Sequence, residues 1–333
     1  MQGKPLKFMS GRRAFLKNSL LPVGAICLPA ILAARSPLPD PADKYEHDLP
    51  SSPGVSPLSL KLRTITRNTT WTLVNEIKVQ FKTFHCQGMV KRGNDFWVSS
   101  VEMSPAKGSD QKPIRAGHLF KIDGNGKLLA DIAIGEGAMY HPSGIDFDGH
   151  HIWIAAAEYR PDSQSIIYRF DPGQLQPEEV FRWQDHVGGV ARNPDSNTLH
   201  GITWGSRRFY AWKLDKKEQL RAPYPLPADL AIINPAFYID YQDNQYLGGQ
   251  EMLYTGLTTY KTPQGTRFSL GGLEIIDLDK RLPVHQVPIQ LWSPVSGAPM
   301  TQNPSFFELT AEHKIRAYFM PDDDDSIIYV YEV

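Results

Sequence analysis

The sequence is poor in cysteine, which excludes a disulfide framework as the source of its stability. It has two cysteines, Cys27 and Cys86, among 333 residues. It also lacks a charge excess of either sign, because 35 lysines and arginines oppose 36 aspartates and glutamates. A net charge of -1 creates no field that would attract nucleic acid or an anionic membrane surface, so we expect neither as a partner.

Long apolar runs are missing near the N-terminus as well. The uncharged stretch Leu20–Ala33 contains two prolines and is shorter than the ~20 residues that cross a bilayer as a helix, so we expect no stable membrane span. The preceding segment, Gly11-Arg-Arg-Ala-Phe-Leu-Lys17, resembles a twin-arginine export signal. The resemblance implies a signal peptide over residues 1–35, recognition by the twin-arginine export machinery, and a periplasmic or extracellular location.

The rest of the chain divides into a linker and one domain. Residues 36–59, "SPLPDPADKYEHDLPSSPGVSPLS", are rich in proline and polar residues and predict an extended linker. From residue 60 to residue 333, apolar and polar residues alternate in short runs, as in Trp71–Phe81, and long amphipathic helices are not evident. We therefore expect an all-β domain, and a monomer.

Internal repeats define the architecture of this domain. Three segments begin with His-x-x-Gly, continue as an alternating strand, turn, and return as a second apolar strand: "HCQGMVKRGNDFWVSS" from His85, "HPSGIDFDGHHIWIAA" from His141 and "HVGGVARNPDSNTLHGITWG" from His186. Two degenerate copies start at Tyr241 and Asn303. Five repeats of several short strands each predict a five-bladed β-propeller.

Two features of the ends bear on the blade count. The last repeat stops at the C-terminus without an outer strand, so we expect the N-terminal strand Trp71–Phe81 to close the ring beside it. A six-bladed propeller is the alternative, and it would require splitting the long segment between Ala222 and Trp292.

The repeated histidines are candidates for a metal site. The inner strand of each propeller blade runs along a central channel, so residues at its start gather around one mouth of the channel. The fold would thereby bring His85, His141 and His186 together, and three neutral imidazoles are suitable ligands for a divalent metal with an open fourth position. The alternative is that each histidine is a satisfied polar group that caps its strand.

Two glutamates are candidates for proton transfer. Glu102 and Glu158 occupy matching places at the ends of "FWVSSVE" and "IWIAAAE", where they could act as general bases at the mouth. Their alternative role is that of solvated charges where a strand leaves its sheet. The run Asp322-Asp-Asp-Asp325 lacks the spacing of an EF-hand loop and predicts a solvated turn.

The segment "HPSGIDFDGHHIWIA" from His141 resembles the repeat of the NHL, streptogramin lyase, gluconolactonase and strictosidine synthase propellers. Together with the export signal, the His-x-x-Gly repeats resemble an exported propeller family of unknown function. Phe84-His-Cys-Gln-Gly-Met89 is similar to a strand of the plant-type glutaminyl cyclases, which implies five blades. That family has a glutamate on the next strand, whereas Trp97–Ser100 has none here, so the resemblance does not extend to the reaction.

Two hypotheses about function follow. In the first, the protein is an exported enzyme that acts on a small molecule at the channel mouth, by hydrolase or lyase chemistry that depends on a divalent metal. In the second, it is a non-catalytic propeller that binds a ligand or a protein through the same face. The sequence identifies neither the metal nor the substrate.

Overall fold

The structure is a computed structural model that describes residues 54–105 and 112–333. In these residues the chain forms five antiparallel sheets arranged as propeller blades, and the predicted all-β, five-bladed fold is confirmed. Short helices are present only as α1 (Pro57–Leu62), α2 (Pro227–Leu230) and a 3-10 turn (Trp204–Ser206) in the described part of the chain.

The strands follow one another blade by blade. Blade 1 consists of β2 (His85–Arg92), β3 (Asp95–Ser104), β4 (Ile114–Ile122) and β5 (Leu128–Ile134). Blade 2 consists of β6 (Met139–Pro142), β7 (Asp146–Phe147), β8 (Ile152–Glu158), β9 (Ser165–Asp171) and β10 (Gln176–Trp183). Its inner strand is divided into β6 and β7, which both pair with β8.

The remaining blades use the same antiparallel order. Blade 3 consists of β11 (Val187–Asn193), β12 (Thr198–Thr203), β13 (Arg208–Lys213) and β14 (Ile232–Ile233). Blade 4 consists of β15 (Asp240–Gly248), β16 (Glu251–Lys261), β17 (Arg267–Asp277) and β18 (Leu282–Ile289). Blade 5 consists of β19 (Ser305–Leu309), β20 (Ile315–Phe319), β21 (Ile327–Glu332) and the N-terminal strand β1 (Thr72–Lys78), which pairs with β21.

Aspartates fix many of the tight turns between these strands. In five turns the carboxylate accepts the backbone N–H of the residue two positions later, and these aspartates are Asp123, Asp148, Asp171, Asp215 and Asp277. Such Asx turns reverse the chain without a partner from another strand.

The hydrophobic core consists of five clusters, one at each interface between neighbouring blades. A representative buried residue from each cluster is Trp97 between blades 1 and 2, Trp212 between 2 and 3, Tyr254 between 3 and 4, Ile275 between 4 and 5, and Phe96 between 5 and 1. Apolar burial of this kind holds neighbouring blades together in a circle.

The described N-terminal segment packs at the interface of blades 4 and 5. Leu62 and Ile65 join the cluster there, and Arg63 forms an ion pair with Glu251. The segment begins beside the β15–β16 turn, where a Cβ on Gly249 would lie 1.7 Å from the carbonyl oxygen of Gly54. Helix α1 thus begins inside the segment that the sequence predicted as a linker, residues 36–59.

The first 53 residues lie outside the described part of the chain, and with them the predicted signal peptide, residues 1–35, and most of the predicted linker. Among the described residues, no helix is long and apolar enough to cross a membrane.

Asp243, on the inner strand of blade 4, joins the blades at the central axis. Its Oδ2 accepts the backbone N–H of Met89 in blade 1, at 2.9 Å, and of Ser305 in blade 5, at 3.1 Å. Its carboxylate also accepts from Asn244 and from Ile145 in blade 2. Burial raises the pKa of Asp243 well above its ordinary value, and these four N–H donors act against the rise.

The glycines of the His-x-x-Gly repeat allow the inner strands and the side chains of Asp243 and Asn244 to approach closely at the axis. A Cβ on Gly88 would lie 2.5 Å from the backbone nitrogen of Ile145, and one on Gly189 would lie 2.2 Å from Oδ1 of Asn244. Side chains at these positions would collide with the axis, so the repeated glycine is a packing requirement.

We predict that Asp243→Asn destabilises the fold. Both carboxylate oxygens accept N–H groups, so the NH₂ group of the asparagine would face at least one backbone donor in either orientation. The unpaired donors should lower the free energy of unfolding by about 2 kcal/mol or more. Urea denaturation measures this loss. The exposed Asp279→Asn is the control, and equal stability of the two variants would contradict the axial role of Asp243.

Candidate functional site

A cavity of about 260 Å³ lies where the inner strands of the first four blades begin. We call this end of the propeller the mouth face and the opposite end, which carries the β15–β16 turn, the turn face. His85, His141 and His186 all line the cavity, together with residues from the start of β15. Radial repetition therefore brings the three sequence-predicted histidines to one place.

A β-bulge in the inner strands shapes this cavity. The pairing of inner and second strands shifts register between Cys86 and Gly88, between Val187 and Gly189, and between Tyr241 and Asp243. The extra residues, Gln87, Gly188 and Gln242, all line the cavity. Bulges re-aim the residues around them, so one residue in each of blades 1, 3 and 4 is directed towards the mouth.

His141 is the most deeply placed of the three histidines. It is 6% exposed, and both of its ring nitrogens are buried without a hydrogen-bond partner. Its ring stacks on Tyr159 with centroids 4.5 Å apart and lies 6.2 Å from the ring of His186. Burial, and then the neighbouring His186 and His85, lower the pKa of His141 to about 3, so the imidazole is neutral at neutral pH.

The other two histidines are held by their Nδ1 atoms. Nδ1 of His186 lies 2.9 Å from the carbonyl oxygen of Glu158, and Nδ1 of His85 lies 2.9 Å from Oδ1 of Asp323. Each Nδ1 therefore donates its proton, and Nε2 is the nitrogen that carries the lone pair whenever the ring is neutral. Burial also lowers the pKa of His186, which favours its neutral form.

A chain of contacts behind His85 includes the fifth repeat. Asn303, at the start of the last blade, donates from Nδ2 to Oδ1 of Asp323 at 2.9 Å, and Asp323 in turn holds His85. Asn303 and Asp323 thus position His85, although neither lines the cavity.

The ligand atoms of the three histidines are farther apart than those of a preformed metal cluster. Among the described residues, three such atoms lie within 4.8 Å of one another only in Asp148, His151 and Glu218. That acidic cluster already holds a cationic side chain, because Arg192 Nη1 lies 2.7 Å from Asp148 and 3.0 Å from Glu218. A guanidinium therefore fills the place that an ion would take.

Neither predicted glutamate lines the cavity. The carboxylate of Glu102 accepts from Ser104 at 2.6 Å and lies 3.8 Å from His118 Nε2. The carboxylate of Glu158 pairs with Arg160 at 2.7 Å, and only its backbone carbonyl reaches His186. Their role in proton transfer stays a prediction.

Sequence reasoning missed several residues of the site. Tyr159 and Trp204 line the cavity from turns that follow β8 and β12, and Asp323 holds His85. The prediction of a solvated turn is wrong for Asp322, which is buried and accepts hydroxyl groups from Ser293 and Ser296. The position of Tyr159 directly after the aligned Glu158 was the available signal for that residue.

A larger groove, of about 790 Å³, runs between blades 5 and 1 on the outer surface. Its charged side chains pair with one another or with neighbours, as in Lys91 with Glu308 and Arg316 with Glu332. Paired surface charges of this kind satisfy one another, whereas His141 has unpaired ring nitrogens, so we assign the site to the smaller, histidine-lined cavity.

The fold and the axial cavity define the protein as a five-bladed β-propeller with a histidine-lined mouth. The chain belongs to the family of unknown function DUF6454, whose model matches residues 51–333. The expectation of a propeller family without an assigned activity is thereby confirmed. No curated protein matches the chain significantly.

Solved structures with similar folds are distant. Hydrazine synthase of Kuenenia stuttgartiensis is 14% identical, with a TM-score of 0.37 over 74% of this chain and 58% of its own, so the chain spans less than two thirds of it. A mannose phosphorylase of Leishmania mexicana is 10% identical, with a TM-score of 0.45 over 78% of this chain and 88% of its own. The Cps50 (Swd1) β-propeller domain of Myceliophteria thermophila is 12% identical, with a TM-score of 0.34 over 77% and 73%. Sequence identities and TM-scores as low as these indicate nothing about the activity of this chain.

We predict that His141 makes the metal-free protein less stable in acid. The folded pKa of about 3 lies below that of an unfolded imidazole, so the unfolded state takes up the proton first and stability is lost as the pH falls from ~6.5 towards 3. His141→Phe should reduce the loss between pH 7 and pH 5 by about 2 kcal/mol. Urea denaturation in chelator at both pH values measures it.

The control for this prediction is His150→Gln, which changes an exposed histidine of a turn. It should leave the pH dependence as it is in the unmodified protein. Identical pH dependence of His141→Phe and the unmodified protein would contradict the buried, neutral state of His141.

Proposed function

We propose that the protein is a metal-dependent enzyme that acts on a small molecule in the mouth cavity, through hydrolase or lyase chemistry. The observation that carries this proposal is His141, a buried imidazole whose two ring nitrogens have no partner. An unpaired buried polar group costs stability, and such groups are found where a ligand or ion satisfies them.

The surroundings of the other histidines support the same role. Histidines that bind metals usually donate the second ring N–H to a carboxylate or a backbone carbonyl. His85 has such a carboxylate partner in Asp323, and His186 has such a carbonyl partner in Glu158. Their Nε2 atoms and a nitrogen of His141 would hold the ion. Because these atoms are not within 4.8 Å of one another, binding would draw the rings together.

A divalent ion held by three imidazoles keeps an open position, where it lowers the pKa of bound water or polarises a substrate oxygen. Asp323 would keep His85 oriented, and Glu158 would orient His186 through its carbonyl. The carboxylates of Glu102 and Glu158 are proposed to take up or return protons after rearrangement, since they lie outside the cavity lining.

The separation of the ligand atoms also fits a second candidate, a non-catalytic propeller that binds a ligand or a protein partner at its mouth. In that case His141 would meet a polar group of the ligand, and the site would hold no metal.

We infer export from the sequence of the N-terminal segment, by the twin-arginine route and to the periplasm or beyond. The described part of the chain is compatible with an oxidising compartment, because burial raises the pKa of its thiol, Cys86, to about 12 and keeps it protonated.

We predict that His141→Ala and His186→Ala each lower metal occupancy about tenfold. Protein purified without an affinity tag would be incubated with Zn²⁺, Mn²⁺ or Fe²⁺, desalted, and analysed for metal content. His151→Ala, in the acidic cluster around Asp148, is the matched control and should bind as much metal as the unmodified protein.

Two results would overturn the metal site. One is less than about a tenth of an ion per chain with stability unchanged in chelator. The other is retention of the metal in His141→Ala together with its loss in His151→Ala, which would move the site to the acidic cluster.

A further inference from the structure

We propose that the ligand of the mouth cavity is a neutral sugar, which rests on the cavity being the functional site proposed above. Its lining combines two walls of different chemistry. One is aromatic and formed by Tyr159 and Trp204, and the other is polar and formed by His85, Gln87, Asp240 and Gln242.

The aromatic wall is open to solvent although it is rigidly supported. Tyr159 is 47% exposed and Trp204 is 39% exposed, and their ring centroids lie 5.5 Å apart. Tyr159 is supported by the stacked ring of His141, and Trp204 by an edge contact with His186 at 4.8 Å. Exposed aromatic surface that is held in place beside a cavity is typical of a surface that a ligand covers.

The charge of the lining argues against an anionic ligand. Neither lysine nor arginine lines the cavity in the described part of the chain. The guanidinium of Arg207 is already bonded to the lining residue Asp240 at 3.0 Å. A phosphate or carboxylate would therefore meet Asp240 without a free cationic side chain to bind it.

An apolar ligand fits equally poorly. It would cover the amides of Gln87 and Gln242, at the bulges of two inner strands, and would leave both ring nitrogens of His141 without partners. The ligand must offer an apolar face to one wall and several hydrogen-bonding groups to the other.

A sugar ring has this combination, because its C–H groups form an apolar face and its hydroxyl groups lie around the edge. The hydroxyl groups would bond the amides of the bulge residues and give His141 the partner that it lacks. A volume of about 260 Å³ is below the about 300–1,000 Å³ of sites for drug-sized ligands, so we expect one sugar unit inside the cavity.

The experiment is a titration of the purified protein with neutral monosaccharides and disaccharides, followed by calorimetry and by ligand-observed NMR. It would be performed in chelator and again with Zn²⁺. We expect at least one sugar of the set to bind with a Kd of about 1 mM or lower. Tyr159→Ala and Trp204→Ala should each weaken its binding about tenfold. Tyr159→Phe and Trp204→Phe keep an aromatic ring and should bind the sugar about as well as the unmodified protein.

Trp292→Ala is the matched control, because Trp292 is 43% exposed and does not line the cavity. It should bind the sugar as the unmodified protein does. Absence of binding by every sugar, unchanged binding by Trp204→Ala, or tighter binding of a sugar phosphate or of tetramethylammonium would overturn the inference. Sugar binding in chelator without any metal uptake would overturn only the metal site, and metal uptake without sugar binding would overturn only this inference.

Discussion

The structure depends on a carboxylate at its centre. Asp243 accepts backbone N–H groups from blades 1, 2, 4 and 5, while the side chain of Asn244 donates to the carbonyl of Val190 in blade 3. Two neighbouring residues of one strand therefore contact the inner strands of all five blades. The apolar clusters between blades hold neighbours together, but the axial hydrogen bonds fix how far the inner strands lie from the axis, and with it the width of the mouth.

That arrangement explains why the repeat has histidine and glycine three residues apart. The glycine lies at the axis, where a Cβ would collide with the backbone of blade 2 at Gly88 and with the side chain of Asn244 at Gly189. In blades 1 and 3 the bulge between histidine and glycine places the residue before the glycine on the cavity wall. The histidine is then at the rim. The packing constraint at the axis thus determines which residues line the cavity three positions away. His141 lies among them, and packing alone does not explain why its ring nitrogens are unpaired.

The sequence predicted the blades well because the signal was local and repeated. Alternation, turn residues and the aligned starts at His85, His141 and His186 are all contained in single segments. The axial role of Asp243 was not predictable in the same way, since its partners come from four repeats and the degenerate copy at Tyr241 has lost the histidine and glycine of the pattern.

The site was predictable only in part. The gathering of three histidines follows from radial repetition, whereas Tyr159 and Trp204 lie in the turns that follow β8 and β12, and Asp323 acts from a loop of another blade. The distances between ring nitrogens, which decide whether three imidazoles can share an ion, depend on rotamers set by these unrepeated neighbours.

The packing of Gly54 against Gly249 has a practical consequence for orientation. Because of this packing, Gly54 lies on the turn face of the propeller. Strand β15 separates it from the cavity, since Asp240 at the other end of β15 lines the cavity. A tether, a fusion partner or a support attached ahead of Gly54 would therefore hold the molecule from behind, with its opening directed outward to whatever approaches.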